Sequence, residues 1–190
     1  MQKEFSQIIK DNKSVHIFYY ITEQQSYLNN LISYIRSGIE QDDHILIIES
    51  EKIILQLNRQ LKGILTKQQM SHVHTINNFD YYCSNGSFQP HVIFSYLNNI
   101  LKPFYDNGLS FRTWAHVEWH DEQESILAIL EEFEKEADRL VNEGGLYLVC
   151  AYDSERVPES LKTALMSCHE YIIKGNKIYP SDMSPLQDIR

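Results

Sequence analysis

A chain of 190 residues, 43% hydrophobic and 23% charged, can bury one sizeable core, so the composition speaks against both a disordered segment and several domains. A formal net charge of -9, with Lys and Arg scattered rather than clustered, argues against direct binding of nucleic acid. No apolar run approaches the roughly 20 residues that span a bilayer, and the polar residues 1–13 do not read as a signal peptide, so a soluble, cytoplasmic protein is expected.

Residues 15–21 are β-branched and aromatic and predict a strand. Thr22 and Gln25 stand at capping-box spacing. A helix follows, with Leu28, Leu31, Ile32, Ile35 and Ile39 on one face and Gly38 as its stop. Residues 44–49 form a near-continuous apolar run, as in a strand buried on both faces of a parallel sheet. Ser50 can cap the next helix, where Ile54, Leu57 and Leu61 share a face. Residues 72–76 predict a third strand, and 77–87, rich in Asn, Ser and Gly, a loop.

Pro90 opens a further helix, which Pro103 should kink or shorten. Residues 110–117 predict a fourth strand, 121–143 a strong helix and 146–152 a fifth, central strand. A short helix from Pro158 and a hairpin over 170–179, turning at Gly175-Asn176, complete the pattern. This alternation predicts an α/β fold, a three-layer sandwich with a mostly parallel central sheet. The domain should occupy residues 14–180, with an N-terminal extension over 1–13 and a loose tail over 181–190.

In such sheets ligands bind outside the carboxyl ends of the strands. The first strand-to-helix turn, Thr22 to Ser26, has neither Gly nor Lys and carries Glu23, so no phosphate-binding loop stands at the usual place. Arg112, Trp114, His116 and Glu118 alternate onto one face of the fourth strand, next to Trp119, and aromatic and ionisable side chains there fit a small-molecule pocket. Glu134 lies inside the apolar stripe of Leu127, Leu130, Ala137 and Val141, where an ionised carboxylate needs a partner; Arg112 is the expected one.

His116-Val117-Glu118 lacks the Pro-Cys-x-x-Cys half of a zinc deaminase, and no Gly-x-Ser-x-Gly elbow occurs. His72 and His74 share a strand face, and His116 and His120 lie close in sequence, spacings too sparse to predict a metal site. Cys83, Cys150 and Cys168 form no metal knuckle; reduced thiols are expected, with Cys150 as core packing. No metal, cofactor or enzymatic activity is predicted.

Several of these residues together resemble the MEDS domain, the sensory domain of dichloromethane-responsive regulators. The resemblance runs from about His16 to Ile178. It rests on His16 with Phe18-Tyr19-Tyr20, Gly38, Asp43, the Ile45–Glu49 strand, Arg112 followed by Glu118, Glu134, Leu148 to Asp153, and His169. Val117 and Trp119 depart from the Gly and Met that usually flank the family's glutamate. The resemblance implies a RecA/KaiC-like fold without a Walker A loop and a role in transcriptional or phosphorelay signalling.

The expected function is a stand-alone sensory domain. It would bind a small organic molecule through Tyr20, Glu49, Arg112, His116, Glu118, Trp119, Glu134 and Asp153, and relay the signal to a separate regulatory protein, a transcription factor or histidine kinase. The alternatives are a ligand-free protein-interaction regulator and a degenerate nucleotide-binding protein. Whether the chain forms a homodimer is left open by the sequence.

Overall fold

The computed structural model describes residues 1–183 apart from 122 and 124. In chain order the helices are α1 (Gln2–Asp11), α2 (Gln24–Ile39), α3 (Glu51–Leu61), α4 (Lys67–Met70), α5 (Asn78–Cys83), α6 (Pro90–Asp106), α7 (Ile126–Gly144) and α8 (Glu159–Ser167). The strands are β1 (Val15–Ile21), β2 (His44–Glu49), β3 (Val73–Asn77), β4 (Phe111–His116), β5 (Tyr147–Asp153), β6 (Tyr171–Lys174) and β7 (Lys177–Pro180).

The strands form one sheet in the order β3-β2-β4-β5-β1-β6-β7. Every pair is parallel except the terminal β6–β7 hairpin. Because the central strands are covered on both faces, β2 and β5 are largely apolar, while β1 and β4 also bury His16, Arg112 and Thr113. One face, with Ile17, Tyr19, Ile45, Ile47, Trp114 and Val149, packs against α1, α2 and α3. The other, with Phe18, Leu46, Ile48, Ala115, Cys150 and Tyr152, packs against α5, α6, α7 and α8. The three-layer sandwich is therefore built as the alternation predicts.

Local chemistry sets several boundaries. Ser50 Oγ accepts from the Ile53 amide at 3.4 Å and starts α3. Pro90 stands in the first turn of α6, which runs on past Pro103 to Asp106. Gly145 takes φ 63° just after α7, a conformation that closes a helix at little cost only for glycine.

Four expectations are corrected. The Thr22–Gln25 capping box does not form: Glu23 takes the N-cap of α2, and its carboxylate accepts from Ser26 Oγ at 2.5 Å. Residues 77–87 are not wholly loop, because α5 forms there. Asn77 Oδ1 accepts from the Asp80 amide, and Tyr81 and Tyr82 anchor the helix under the sheet. The seventh helix starts at Ile126 rather than 121. Residues 1–13 do not stand apart as an extension: α1 lies on α2 and buries Phe5 and Ile9 in the core. Of the expected tail, residues 184–190 lie outside the described residues. No helix among the described residues is long and apolar enough to cross a membrane.

Candidate functional site

The chain leaves β1 and β2 in one direction along the sheet and β4 and β5 in the other, so the helices that follow lie on opposite faces. A crevice opens at the carboxyl ends where the directions diverge. It holds a cleft of about 340 Å³ lined by Ile21, Glu23, Tyr27, Lys52, His116 and Asp153, among others. A wider depression of about 760 Å³ between α5 and α6 is lined mostly by exposed side chains and holds no buried ionisable group except the Tyr81 phenol.

Under the cleft runs a hydrogen-bond chain. Trp114 Nε1 donates to the Tyr27 hydroxyl at 2.8 Å, and that hydroxyl donates to Glu49 Oε1 at 2.5 Å. The same oxygen faces His116 Nδ1 at 2.9 Å, and Glu49 Oε2 accepts from the Ser50 amide. Glu49 is wholly buried, whereas the His116 side chain is 20% exposed. Burial alone would raise the Glu49 pKa; the His116 imidazole, the Tyr27 hydroxyl and the Ser50 amide outweigh it and hold the carboxyl below its ordinary range. Burial alone would lower the His116 pKa, and the Glu49 carboxylate reverses this to a net rise. Both shifts favour the imidazolium–carboxylate form of the pair at the floor of the cleft.

On the opposite face, at β1, β5 and α7, lies a second polar group. Glu134 is wholly buried, and the Tyr152 hydroxyl donates to its Oε1. Its Oε2 stands 3.4 Å from His16 Nε2 and 3.6 Å from His169 Nε2, and His16 Nε2 is 3.4 Å from Cys150 Sγ. His16 Nδ1 meets the Cys168 carbonyl at 3.2 Å and Asp138 Oδ1 at 3.5 Å; His169 Nδ1 meets the Leu165 carbonyl at 2.5 Å. Burial lowers the His16 pKa, but Asp138 and Glu134 carry it up to about 9. Burial and the neighbouring His16 take His169 down to about 3, and burial beside Glu134 holds the Cys150 thiol up.

A family model described as MEDS, the MEthanogen/methylotroph, DcmR Sensory domain, matches residues 15–170, from β1 to the residue before β6. The chain belongs to the MEDS family. The match takes in both polar groups of this MEDS domain and leaves out α1 and the β6–β7 hairpin. No curated protein matches the sequence significantly.

The eight residues singled out from the MEDS sequence divide among different places. Glu49, His116 and Asp153 come together at the cleft. Tyr20 lies on the other face against Phe18, with ring centroids 5.9 Å apart. Glu118 follows the end of β4 and pairs with Arg156 Nη1 at 2.5 Å, and Trp119 is buried with that guanidinium 3.9 Å from its ring. Arg112 sits at the amino end of β4, away from the cleft, and is wholly buried.

The expected Arg112–Glu134 pair does not exist. Arg112 Nε donates to Asp43 Oδ2 at 2.8 Å, its Nη2 to the same oxygen, and its Nη1 to Ser37 Oγ at 3.1 Å. The two residues belong to opposite sides of the sheet, so Glu134 meets histidines instead. Trp114, in the strand-end cluster the sequence pointed to, does stand under the cleft, whereas Tyr27 was not singled out; Tyr27, Leu31, Tyr34 and Gly38 at helical spacing carry its signal. His72 and His74 flank His44 at the amino ends of β2 and β3, the His72 ring stacked on it at 4.5 Å and the His74 ring tilted at 5.3 Å.

Proposed function

We propose that this MEDS domain is a sensor that takes a small organic molecule into the cleft at the carboxyl ends of β1, β2, β4 and β5, and relays occupancy to a transcription factor or histidine kinase. In this reading the fold is RecA/KaiC-like, with Glu23 in the first turn where a phosphate cradle would stand. The family's description as a sensory domain supports the role, and the supported couple of Glu49 and His116 carries the choice of site.

With Nδ1 committed to Glu49, Nε2 is the His116 ring atom left for a ligand. Tyr27 and Trp114 fix the Glu49 oxygen from behind, so the couple is held in position before anything binds. A ligand bridging His116 and the first turn of α2 would change the relative energies of two placements of that turn, and a partner reading the surface there would respond to the shift.

Native mass spectrometry of the purified protein, repeated after denaturation, tests the cleft. The expected result is a small organic mass present only in the native spectrum and lost in His116→Ala. If wild type carries no such mass and a panel of small organic compounds leaves the melting temperature of wild type unchanged, the cleft is not a ligand site.

A further inference from the structure

The second polar group has no part in the cleft. His16, Glu134, Cys150 and His169 are all buried, and one donor atom from each lies within 4.8 Å of the others. Two of those atoms, Glu134 Oε2 and His169 Nε2, are buried without a hydrogen-bond partner among the described residues. Such an atom costs on the order of 1–3 kcal/mol unless something compensates it.

The proton positions sharpen the point. The Leu165 carbonyl can only accept, so His169 carries its proton on Nδ1 and turns a bare lone pair on Nε2 toward Glu134 Oε2, itself an acceptor. Two acceptors 3.6 Å apart in a buried site call for a proton or a metal ion between them. His16 Nδ1 likewise faces a carbonyl and a carboxylate, which frees Nε2 toward the same point. This is the arrangement by which a metal-binding histidine is oriented from behind. An imidazolium at His16 would serve Glu134 but leave His169 Nε2 unmet.

We infer that His16, Glu134, Cys150 and His169 form a binding site for a divalent transition-metal ion, zinc by the chemistry of the donors. Two imidazoles, a carboxylate and a thiolate suit zinc's tetrahedral preference. With Zn–N about 2.0 Å and Zn–S about 2.3 Å, tetrahedral donors stand roughly 3.3–3.6 Å apart. Three of the contacts here measure 3.4, 3.4 and 3.6 Å. Two positive charges against one carboxylate and one thiolate leave the buried site neutral, with the Cys150 thiol proton and the proton on His16 Nε2 both released on binding. Four protein donors close the coordination shell, as in a site that holds a fold together. It would clamp β1, β5, α7 and the segment before β6. The His16 and His169 rings, with centroids 3.8 Å apart, must spread by about an ångström to seat the ion.

The test uses full-length protein made without a metal-affinity tag, unfolded, refolded with zinc or cobalt(II), and stripped of loose metal on a chelating resin. Wild type should retain one zinc per chain, and the cobalt form should show a thiolate-to-cobalt charge-transfer band. Cys150→Ser should remove the band and lower zinc retention by at least about tenfold. The double variant Cys83→Ser/Cys168→Ser, in which Cys150 is the sole thiol, should keep both. Wild type that retains no zinc overturns the site, as does a band that survives in Cys150→Ser. If Cys150→Ser fails to fold, the double variant decides: a band supports the site, and its absence overturns it. His116→Ala, which tests the cleft, should leave zinc retention unchanged.

Discussion

Replacing Asp43 by Asn removes the charge that answers a wholly buried guanidinium while keeping the size of the side chain. Arg112 is 0% exposed and spends Nε and Nη2 on one Asp43 oxygen; Ser37 takes Nη1, and the Tyr34 ring lies 5.5 Å from the guanidinium carbon. No other carboxylate contacts it among the described residues. Stranding one partner of a buried ion pair costs about 3–5 kcal/mol. The Asn carbonyl can still accept one hydrogen bond, which places the expected loss near about 3 kcal/mol. For a domain of this size that is a fall of roughly 6–12 °C in melting temperature. Urea unfolding followed by far-ultraviolet circular dichroism gives the free energy directly. The double variant Asp43→Asn/Arg112→Met, which removes the stranded charge, should recover at least about 1 kcal/mol of the loss. A single-variant loss below about 1 kcal/mol, or strict additivity in the double variant, would refute the buried pair.

The cleft couple makes a pH prediction. Glu49's pKa is depressed on folding, so its contribution is present above the ordinary 4.5 and lost as pH falls through the folded value; His116's is raised, so its contribution is full below the ordinary 6.5 and lost as pH rises through the folded value. Glu49→Gln should therefore cost most, about 2 kcal/mol, near about pH 5.5 and less near about pH 9, read from thermal melts. An equal gap at both pH values would rule out the charged pairing. Phe5→Ala should cost about 3–5 kcal/mol in urea unfolding, because the ring packs edge-on to Tyr34 and Trp114; a loss under about 1 kcal/mol would make α1 peripheral. Gly38→Ala should destabilise by about 1–2 kcal/mol despite the better helix former. An added Cβ would stand 2.9 Å from Ile45 Cγ1 and 3.2 Å from Arg112 Nε. A higher melting temperature for this variant would contradict that crowding.

The amino-acid sequence by itself determined the layers. Runs such as 15–21 and 44–49 are strands because β-branched and aromatic residues suit a pleated surface buried on both sides, and that signal is local. The absence of glycine and lysine from the turn after β1 was equally legible, as was the anomaly of Glu134 in an apolar stripe. What answers that carboxylate was not. Arg112 and Asp43 are separated by 69 positions, His16 and Glu134 by 118, and nothing local says which distant charge a buried group will meet. Alternation did put Arg112, Trp114 and His116 on one strand face. Four residues of extended chain nevertheless carry Arg112 about 13 Å from His116, to the other end of the sheet and out of the cleft. Only the parallel register, which sets Glu49 beside His116 and brings His16 and Cys150 onto the face that Glu134 covers, decided which of these polar groups share a site.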